Sequence, residues 1–388
     1  MKLKELFILH FLNDGIRTTF VVLLPFIAKD LSFSLGQAGF LGSSQPLIAA
    51  LLAIPTGFIM SKFGGFRIIL SLLLIYSLAA IAISFSFNIS VLFLTYFASA
   101  LGFGMFHTIG FALTAQSSTH KDVGRNMGNF TSIGEIGRIS IPPLAVFTTS
   151  LAGWRPTIAI LGIIGAFLFF VFKLLSPGRD NYSLGSEKRN DQNYKSFFKD
   201  LVFLFKRKHS LFITSAAIVD SLASSPIYVY LPFLLVFKGN SPFQLGIAMA
   251  GFFIGSLAGK TLLGRSVDKF GNFRVFIISE LCMAVSLFLI AQTSNFFILV
   301  GLASLLGIFT KGTSPVVQTM FSQLADKEHY HKVYAVSELA TGLSAVVTIV
   351  IMGIVADRTG INTIFYVCSV LAVVASFPIY IFSRGTKA

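Results

Sequence analysis

The stretch GFIMSKFGGFR, from Gly57 to Arg67, is followed 207 residues later by GRSVDKFGNFR, from Gly264 to Arg274. The same offset of 207 residues places the Leu-Pro-Phe triplet at 24–26 on the identical triplet at 231–233. The repeat therefore extends over the apolar segments that precede each copy. The chain is predicted to consist of two related halves.

Both copies lie between apolar runs, which is typical of a short turn between two membrane spans. Each copy begins with a glycine, which would let two helices approach closely, and ends with basic groups in a predicted tight, polar turn. The identical positions are Gly57 and Gly264, Lys62 and Lys269, Phe63 and Phe270, Gly64 and Gly271, Phe66 and Phe273, and Arg67 and Arg274.

The repeat resembles the cytoplasmic turn between spans 2 and 3 of the major facilitator superfamily. That turn reads G-x-x-x-D-[RK]-x-G-x-[RK]-[RK] and often recurs between spans 8 and 9. The first copy has Ser61 in place of the acid and the second departs at Phe273, so a carboxylate clasp on the cytoplasmic gate is expected in the second half. The second copy supplies Gly264, Asp268, Lys269, Gly271 and Arg274.

The composition indicates a membrane protein. Of 388 residues, 54% are hydrophobic and only 12% are charged, which is outside the range of soluble domains. The apolar runs last about 20 residues without alternation, which excludes a β-barrel. The net charge of +14 resides in the loops, so it does not indicate a nucleic-acid partner. Cys282 and Cys368 lie inside apolar runs and indicate neither a disulfide framework nor a metal site.

We expect an all-α membrane protein with twelve transmembrane helices in two pseudo-symmetric six-helix bundles. The bundles are residues 1–175 and 210–388, and a polar cytoplasmic linker, 176–209, joins them. The spans are predicted at 5–28, 36–60, 66–87, 90–116, 127–150, 154–175, 211–236, 242–263, 274–292, 296–322, 333–355 and 361–383.

The distribution of basic residues predicts the orientation. With the N-terminus in the cytoplasm, 22 Lys and Arg residues lie on the cytoplasmic side and 4 on the other side. Lysine and arginine accumulate in cytoplasmic loops. Both termini and the linker are therefore expected inside.

Ionisable groups inside spans are costly and usually functional. The first span carries His10, Asn13, Asp14 and Arg17, and the resemblance implies that spans 1, 4, 7 and 10 line a central cavity. Proton coupling is predicted for Asp14, Glu135, Asp220 and His107. Solute binding is predicted for Asn13, Arg17, His107, Arg138 and Lys311.

Asp14 and Arg17, like Glu135 and Arg138, are spaced i, i+3 and lie on one helix face. Each pair is either structural or able to take up a proton when the solute draws its arginine away. Asp14 is the preferred carrier, because the offset of 207 residues places Asp220 opposite Asn13, its neighbour.

His107 is either a buried histidine bonded to a hydroxyl or a second proton carrier. Lys311 has no acid within one turn of its helix. It therefore faces water, an acid on another helix or an anionic solute. Together with His107, Arg17 and Arg138, Lys311 could form a carboxylate or phosphate site. Three further groups have structural alternatives, since Lys260 can snorkel and Glu280 and Glu338 can pair between helices.

The segment GEIGRISIPP resembles the glycine-proline motif of facilitator antiporters, with Gly134, Gly137 and Pro142 in place. Ile141 replaces the glycine that precedes the proline in that family, and Pro143 is additional. Span 4 lacks the arginine of many proton antiporters, having Ala98 four residues before Gly102. The regions around His107 and span 5 are also similar to bacterial efflux proteins of the fosmidomycin-resistance type.

No nucleotide-binding loop, metal-ligand pair or nucleophile constellation is found in the sequence, so neither an enzyme nor a cofactor is expected. The sequence predicts a monomeric, proton-coupled secondary transporter of the bacterial inner membrane. It would move a small organic solute with an anionic group, with export favoured. Alternatives are an uptake symporter for an organic anion, and a substrate-sensing receptor or channel with the same fold.

Overall fold

The computed structural model describes residues 3–119, 122–175, 208–324 and 330–385. The regular structure of these residues is helical. Before the predicted linker lie α1 Leu3–Leu31, α2 Leu35–Phe63, α3 Gly65–Ser84, α4 Ile89–Gly104, α5 Phe106–Gln116, α6 Val123–Ala152 and α7 Trp154–Leu175. After it lie α8 Lys208–Phe237, α9 Pro242–Phe270, α10 Asn272–Gln292, α11 Phe296–Thr310, α12 Ser314–Ser322, α13 Tyr330–Thr359 and α14 Asn362–Gly385.

The offset of 207 residues holds along both halves. The helices α2, α3, α4 and α6 begin 207 residues before α9, α10, α11 and α13, respectively. The helix caps repeat as well. Asn88 Oδ1 accepts a hydrogen bond from the Val91 amide at 2.9 Å, and Asn295 Oδ1 accepts one from the Ile298 amide at 3.2 Å. These asparagines satisfy amides that the first helical turn leaves free.

The turn within the repeated motif is shorter than predicted. The helix α2 continues to Phe63 and α9 continues to Phe270, so the connection at each copy is a single glycine. Gly64 has φ 82° and Gly271 has φ 80°. Residues with a side chain rarely adopt a positive φ of this size, so glycine is needed at both positions.

The predicted close helix approach at the first glycine of the second copy is wrong. A Cβ added to Gly264 would meet no heavy atom of the described residues within 4 Å. The side-chain surroundings of Gly57 and Ser61 lie outside the described part of the chain. The predictions for these two residues therefore stay predictions.

Two predicted spans are broken helices. The span at 90–116 breaks at Met105, between α4 and α5, and the span at 296–322 breaks at 311–313, between α11 and α12. Met105 lies 207 residues before Gly312, so both halves break at the same place. Such breaks are tolerated within a membrane where they line a cavity.

The chain forms two compact units, one containing residues 3–34 and 40–175 and the other containing residues 208–239 and 251–385. In the first, α1 packs against α6 and α3 against α7. In the second, α8 packs against α13 and α10 against α14, the equivalent pairs. Ten segments among the described residues are long and apolar enough to cross a membrane.

The predicted fold class, an all-α membrane protein built from two related domains, is confirmed. Residues 176–207 of the predicted linker lie outside the described residues. The domain boundaries therefore stay a prediction.

Candidate functional site

Two glycines let α6 approach α1. A Cβ on Gly134 would lie 2.5 Å from His10 Cε1 and 2.9 Å from Asp14 Oδ2, and one on Gly137 would clash with the Phe11 carbonyl oxygen. Small residues allow membrane helices to pack this closely. The glycines of the GEIGR segment thus bring the charges of α6 against those of α1.

Asp14 lies at the centre of a buried charge cluster and is only 2% exposed. Arg138 Nη2 lies 2.7 Å from Asp14 Oδ2, and Arg138 Nη1 lies 2.9 Å from Glu135 Oε1. Asn13 Nδ2 donates to Asp14 Oδ1 at 3.1 Å. One guanidinium therefore connects two carboxylates on different helices, and removing it would leave both negative charges less compensated.

Two histidines complete the cluster. His10 is clamped by stacking on the Phe130 ring, with 3.9 Å between ring centroids, and its Nδ1 lies 2.7 Å from the Phe130 carbonyl oxygen. Because a carbonyl only accepts, Nδ1 carries a hydrogen, and Nε2 of the neutral ring carries a lone pair. That Nε2 lies 3.3 Å from both Asp14 Oδ2 and His107 Nε2. His107 Nε2 lies 3.1 Å from Asp14 Oδ1.

This arrangement has room for one more proton. When the His10 ring is neutral with its hydrogen on Nδ1, Nε2 can accept from His107 but cannot donate to the Asp14 carboxylate, so no hydrogen lies between His10 and Asp14. A proton placed between them would create a charge-assisted hydrogen bond. The cluster can therefore gain a proton without moving its heavy atoms far.

One of the two predicted same-helix ion pairs is formed. Glu135 pairs with Arg138 as expected, whereas the partner of Asp14 is Arg138 rather than Arg17. Arg17 Nε instead donates to Gln45 Oε1 on α2 at 2.8 Å. Sequence spacing detects partners on one helix only, so it missed both contacts between helices.

Two buried amide atoms beside these groups lack hydrogen-bond partners among the described residues. They are Asn13 Oδ1 and Gln45 Nε2. An unsatisfied buried polar atom costs about 1–3 kcal/mol. Water or a polar group of a solute would relieve that cost, which fits the solute-binding role predicted for Asn13.

The cluster also has the composition of a metal site. His10, Asp14 and His107 each offer one ligand atom, and these atoms lie within 4.8 Å of one another. However, the Arg138 guanidinium already bonds to the same carboxylate. Its positive charge opposes a second cation there.

The second unit contains a polar cavity of about 270 Å³, bounded by α8, the break between α11 and α12, and α13. Asp220, Lys311 and Glu338 line it, together with eight serine and threonine side chains. The Lys311 ammonium interacts electrostatically with both carboxyl groups and lies 5.5 Å from the Tyr228 ring centroid. Lys311, which has no acid on its own helix turn, thus has acidic neighbours from other helices.

The predicted solute and proton residues therefore fall into two groups. Asn13, Asp14, His107, Glu135 and Arg138 cluster in the first unit, with Arg17 bonded to Gln45 beside them. Asp220 and Lys311 share the cavity of the second unit.

The basic residues of the repeated motif lie beside phenylalanine rings. The Lys62 ammonium lies 5.3 Å from the Phe63 ring centroid, and the Lys269 ammonium lies 5.1 Å from that of Phe270. Asp268 forms no hydrogen bond or ion pair within the part of the chain that the structure describes. Its predicted role as a gate clasp, and those of Arg67 and Arg274, stay predictions.

The sequence left His10 and Gln45 without a role. His10 lies four residues before Asp14, which is the spacing of neighbours on one helix face, so this signal was available. For Gln45 no such signal existed, because its contact with Arg17 joins two helices. The contact of His10 with the Phe130 carbonyl also joins two helices, so the sequence gave no signal for it either.

Comparisons with known proteins agree with this architecture. The family model described as Major Facilitator Superfamily matches residues 6–240 and 213–387. The "Probable sulfoacetate transporter SauU" of Cupriavidus necator is 23% identical, over 93% of this chain and 88% of that protein. The "Multi-drug resistance efflux pump PmrA" of Streptococcus pneumoniae is 24% identical, over 93% of this chain and 90% of that protein.

Solved structures share the fold. A bacterial homolog of the human lysosomal transporter Spinster superposes with a TM-score of 0.81 at 14% identity, covering 98% of this chain and 96% of that one. The nucleoside transporter NupG superposes with a TM-score of 0.77 at 17% identity, covering 98% of both chains. With a family model matched along nearly its whole length, the chain belongs to the Major Facilitator Superfamily and is a multi-pass membrane transporter of small molecules, not an enzyme.

Proposed function

We propose that this protein is a proton-coupled secondary transporter. It moves a small organic solute that carries an anionic group across the bacterial inner membrane by alternating access, and export is the favoured direction. The protein works as a monomer. Both of its termini lie in the cytoplasm, as the distribution of its basic residues predicts.

The observation that carries this proposal is the position of Asp14 between Arg138 and two histidines. A buried ion pair is costly to maintain and strongly destabilising to break on one side only. If a solute anion draws Arg138 away, the Asp14 carboxylate loses its main counter-charge. Protonation of the cluster, at Asp14 or at the adjacent imidazoles, then removes the uncompensated charge. The position of Asp14 thus supports proton coupling, whereas the proposed direction, export, rests on the resemblance of span 5 to antiporters and on relatives with efflux names.

The groups that would hold the anion are Arg17, Arg138 and His107 in the first unit, and Lys311 in the second unit is a separate candidate. Arg138 is the strongest of these candidates, because its side chain is 22% exposed while both of its carboxylate partners are buried. It can therefore meet a solute without first leaving its pocket.

Export by antiport is supported by the resemblance of span 5 to antiporters and by relatives that carry efflux names, such as the pump of Streptococcus pneumoniae. A specific observation favours the second candidate, uptake of an organic anion by symport. An anion that displaces Asp14 from Arg138 promotes protonation of Asp14, so the anion and the proton would bind together. The relative named "Cis,cis-muconate transport protein", from Acinetobacter baylyi, is 24% identical over 68% of this chain.

The experiment that tests the proposal measures the sign of proton movement. Purified protein is placed in liposomes that contain a pH-sensitive dye and are loaded with one solute from a panel of organic anions, amines and zwitterions. As the solute flows out, antiport acidifies the lumen, symport makes it alkaline and uniport leaves its pH unchanged. We expect acidification with at least one solute that carries an anionic group.

The matched variants are Arg138→Gln and Arg125→Gln. Both remove one guanidinium from α6, but Arg125 is paired with Asp122 at the surface, where its side chain is 72% exposed. We expect Arg138→Gln to lose proton movement and Arg125→Gln to keep it. Solute flux without any change in lumen pH would refute proton coupling, and alkalinisation would establish the symport alternative.

A further inference from the structure

The cavity of the second unit occupies the positions that carry the charge cluster in the first unit. The offset of 207 residues pairs Asp14 with Ser221, Arg17 with Ser224, Glu135 with Gly342 and Arg138 with Ala345. All four residues of the second unit line the cavity. Large charged side chains fill this space in the first unit. Small ones replace them in the second, and the volume of about 270 Å³ is left open.

The substitutions also remove the positive charges. In the first unit Arg138 compensates Asp14 at 2.7 Å. In the second unit the carboxylate is one position earlier, at Asp220, and both arginine positions are occupied by small neutral residues. Asp220 is 8% exposed, and its Oδ1 has no hydrogen-bond partner among the described residues. A buried carboxylate oxygen without a donor is costly, so this oxygen is suited to a donor that arrives from outside.

Four of the eight hydroxyl groups of the wall donate to backbone carbonyls and so present acceptors to the cavity. Ser221 donates to the Thr341 carbonyl at 2.7 Å, Thr310 to the Leu306 carbonyl at 2.6 Å, and Thr341 to the Ser337 carbonyl at 2.7 Å. A hydroxyl has one hydrogen and two lone pairs. Once that hydrogen is donated to the backbone, only acceptor positions remain for a ligand.

The charges of the wall are unequal. Asp220 and Glu338 contribute two carboxyl groups, against one ammonium from Lys311. Glu280 is fully buried, does not line the cavity and interacts through its side chain with Asp220. Gln318 Nε2 is the donor to Glu338 Oε1, at a long 3.4 Å. Carboxyl groups therefore outnumber cationic groups on the wall of this cavity.

We propose that the cavity of the second unit binds a protonated amine or guanidinium group of the transported solute, with Asp220 as its principal partner. The ligand cation takes the place that Arg138 holds in the first unit. The identification of this ligand as the transported solute rests on the proposed transport function. The solute would then be a small zwitterion, with an anionic and a cationic group. A cation and a proton compete for the same carboxylate, which is the linkage that antiport requires.

The test uses charged thiol reagents of equal size. Ala345→Cys, in a background of Cys282→Ser and Cys368→Ala, places one thiol on the cavity wall. Its reaction rates with ethylammonium and ethylsulfonate methanethiosulfonates are measured and divided by the rates with a free thiol. The corrected ratio is the corrected rate with the ammonium reagent divided by that with the sulfonate reagent. We expect it to be about ten, which corresponds to ~1.4 kcal/mol. Size-exclusion chromatography establishes that each variant is folded.

Charge variants assign the effect to the cavity. Asp220→Asn should bring the corrected ratio close to one, and Lys311→Gln should raise it. Asp122→Asn, the same chemical change on the surface of the first unit, should leave it unaltered. Three outcomes would each overturn the proposal: preference for the sulfonate reagent, a ratio that is unchanged in Asp220→Asn, or no reaction with either reagent.

This measurement needs no transport and no proton gradient. Cation preference in a protein that moves no protons would therefore refute the proposed coupling alone. Proton-coupled flux with an anion-selective cavity would refute the amine site alone.

Discussion

Arg138 Nη2 lies 2.7 Å from Asp14 Oδ2, so a guanidinium on α6 holds a carboxylate on α1. The two helices meet there through glycines, and the bond is buried from solvent at the Asp14 end. Breaking one side of such a pair typically costs about 3–5 kcal/mol. A step that separates these residues must therefore supply a replacement charge to each.

Asp14→Asn should abolish uphill transport while leaving solute exchange measurable. The amide keeps the shape of the side chain but can neither balance Arg138 nor take up a proton. Accumulation driven by a pH gradient and exchange at equal pH are measured in the same liposomes. Asp122→Asn is the matched control on the exposed side of the first unit. Full proton-driven accumulation by Asp14→Asn would remove Asp14 from the mechanism and leave Glu135 or Asp220 as the next candidates.

Replacing His10 with asparagine separates the roles of its two ring nitrogen atoms. An asparagine can still donate to the Phe130 carbonyl, as Nδ1 does, but it has nothing at the position of Nε2, which faces Asp14 and His107. We expect His10→Asn to fold normally and to lose most of the proton movement that accompanies solute flux, because no group then faces Asp14 at the position of Nε2. Proton movement equal to that of the unchanged protein would show that His10 holds Phe130 and does not handle the proton.

Gly134→Ala should disturb the charge cluster without touching any charged residue. The added methyl group would fall 2.5 Å from His10 Cε1, and overpacking of this kind costs about 1–3 kcal/mol. We expect a lower melting temperature and a large loss of transport. Gly128→Ala, on the same helix but with no described atom within 4 Å of the new Cβ, should be neutral or slightly stabilising. Equal behaviour of the two variants would argue against a close contact between α1 and α6 at this point.

Asp268→Asn should favour the inward-open state if the second copy of the repeated motif is a gate clasp. The carboxylate would bond to helix N-terminal amides or to a base in the closed gate, and the amide would weaken that bond. Single cysteines on the cytoplasmic and opposite sides report the shift through their labelling rates. Ser61→Asn, in the copy that lacks the acid, should have a much smaller effect. Unchanged labelling in Asp268→Asn would contradict the gate role.

Lys311→Gln should weaken binding of a solute with an anionic group by about 1–3 kcal/mol, the amount expected when a charged hydrogen-bond partner is lost. Because Asp220 lines the same cavity, a structural pairing of Lys311 with Asp220 is the competing explanation. Binding is therefore measured with Lys311→Gln, Asp220→Asn and the double variant. If the double variant restores what Lys311→Gln lost, the lysine is a structural partner and the anion hypothesis is wrong.

What the sequence determined by itself is the membrane class, the twofold repeat and the approximate position of the helices. These features depend on local properties. Apolar runs of about 20 residues become spans because unpaired backbone groups are too costly in lipid. A repeated glycine becomes a repeated turn because only glycine adopts φ near 80° without strain, as at Gly64 and Gly271.

The tertiary structure alone decided which charges meet. Spacing predicted the Glu135–Arg138 pair, since both residues lie on one helix, but it assigned Asp14 to Arg17 instead of Arg138. It also gave no sign that α4 and α11 end at equivalent breaks, or that Ser221, Ser224, Gly342 and Ala345 leave a cavity where the other unit holds ion pairs. Partners on different helices are set by which faces pack together, and that choice depends on small residues such as Gly134 and Gly137, whose effect appears only when two helices touch.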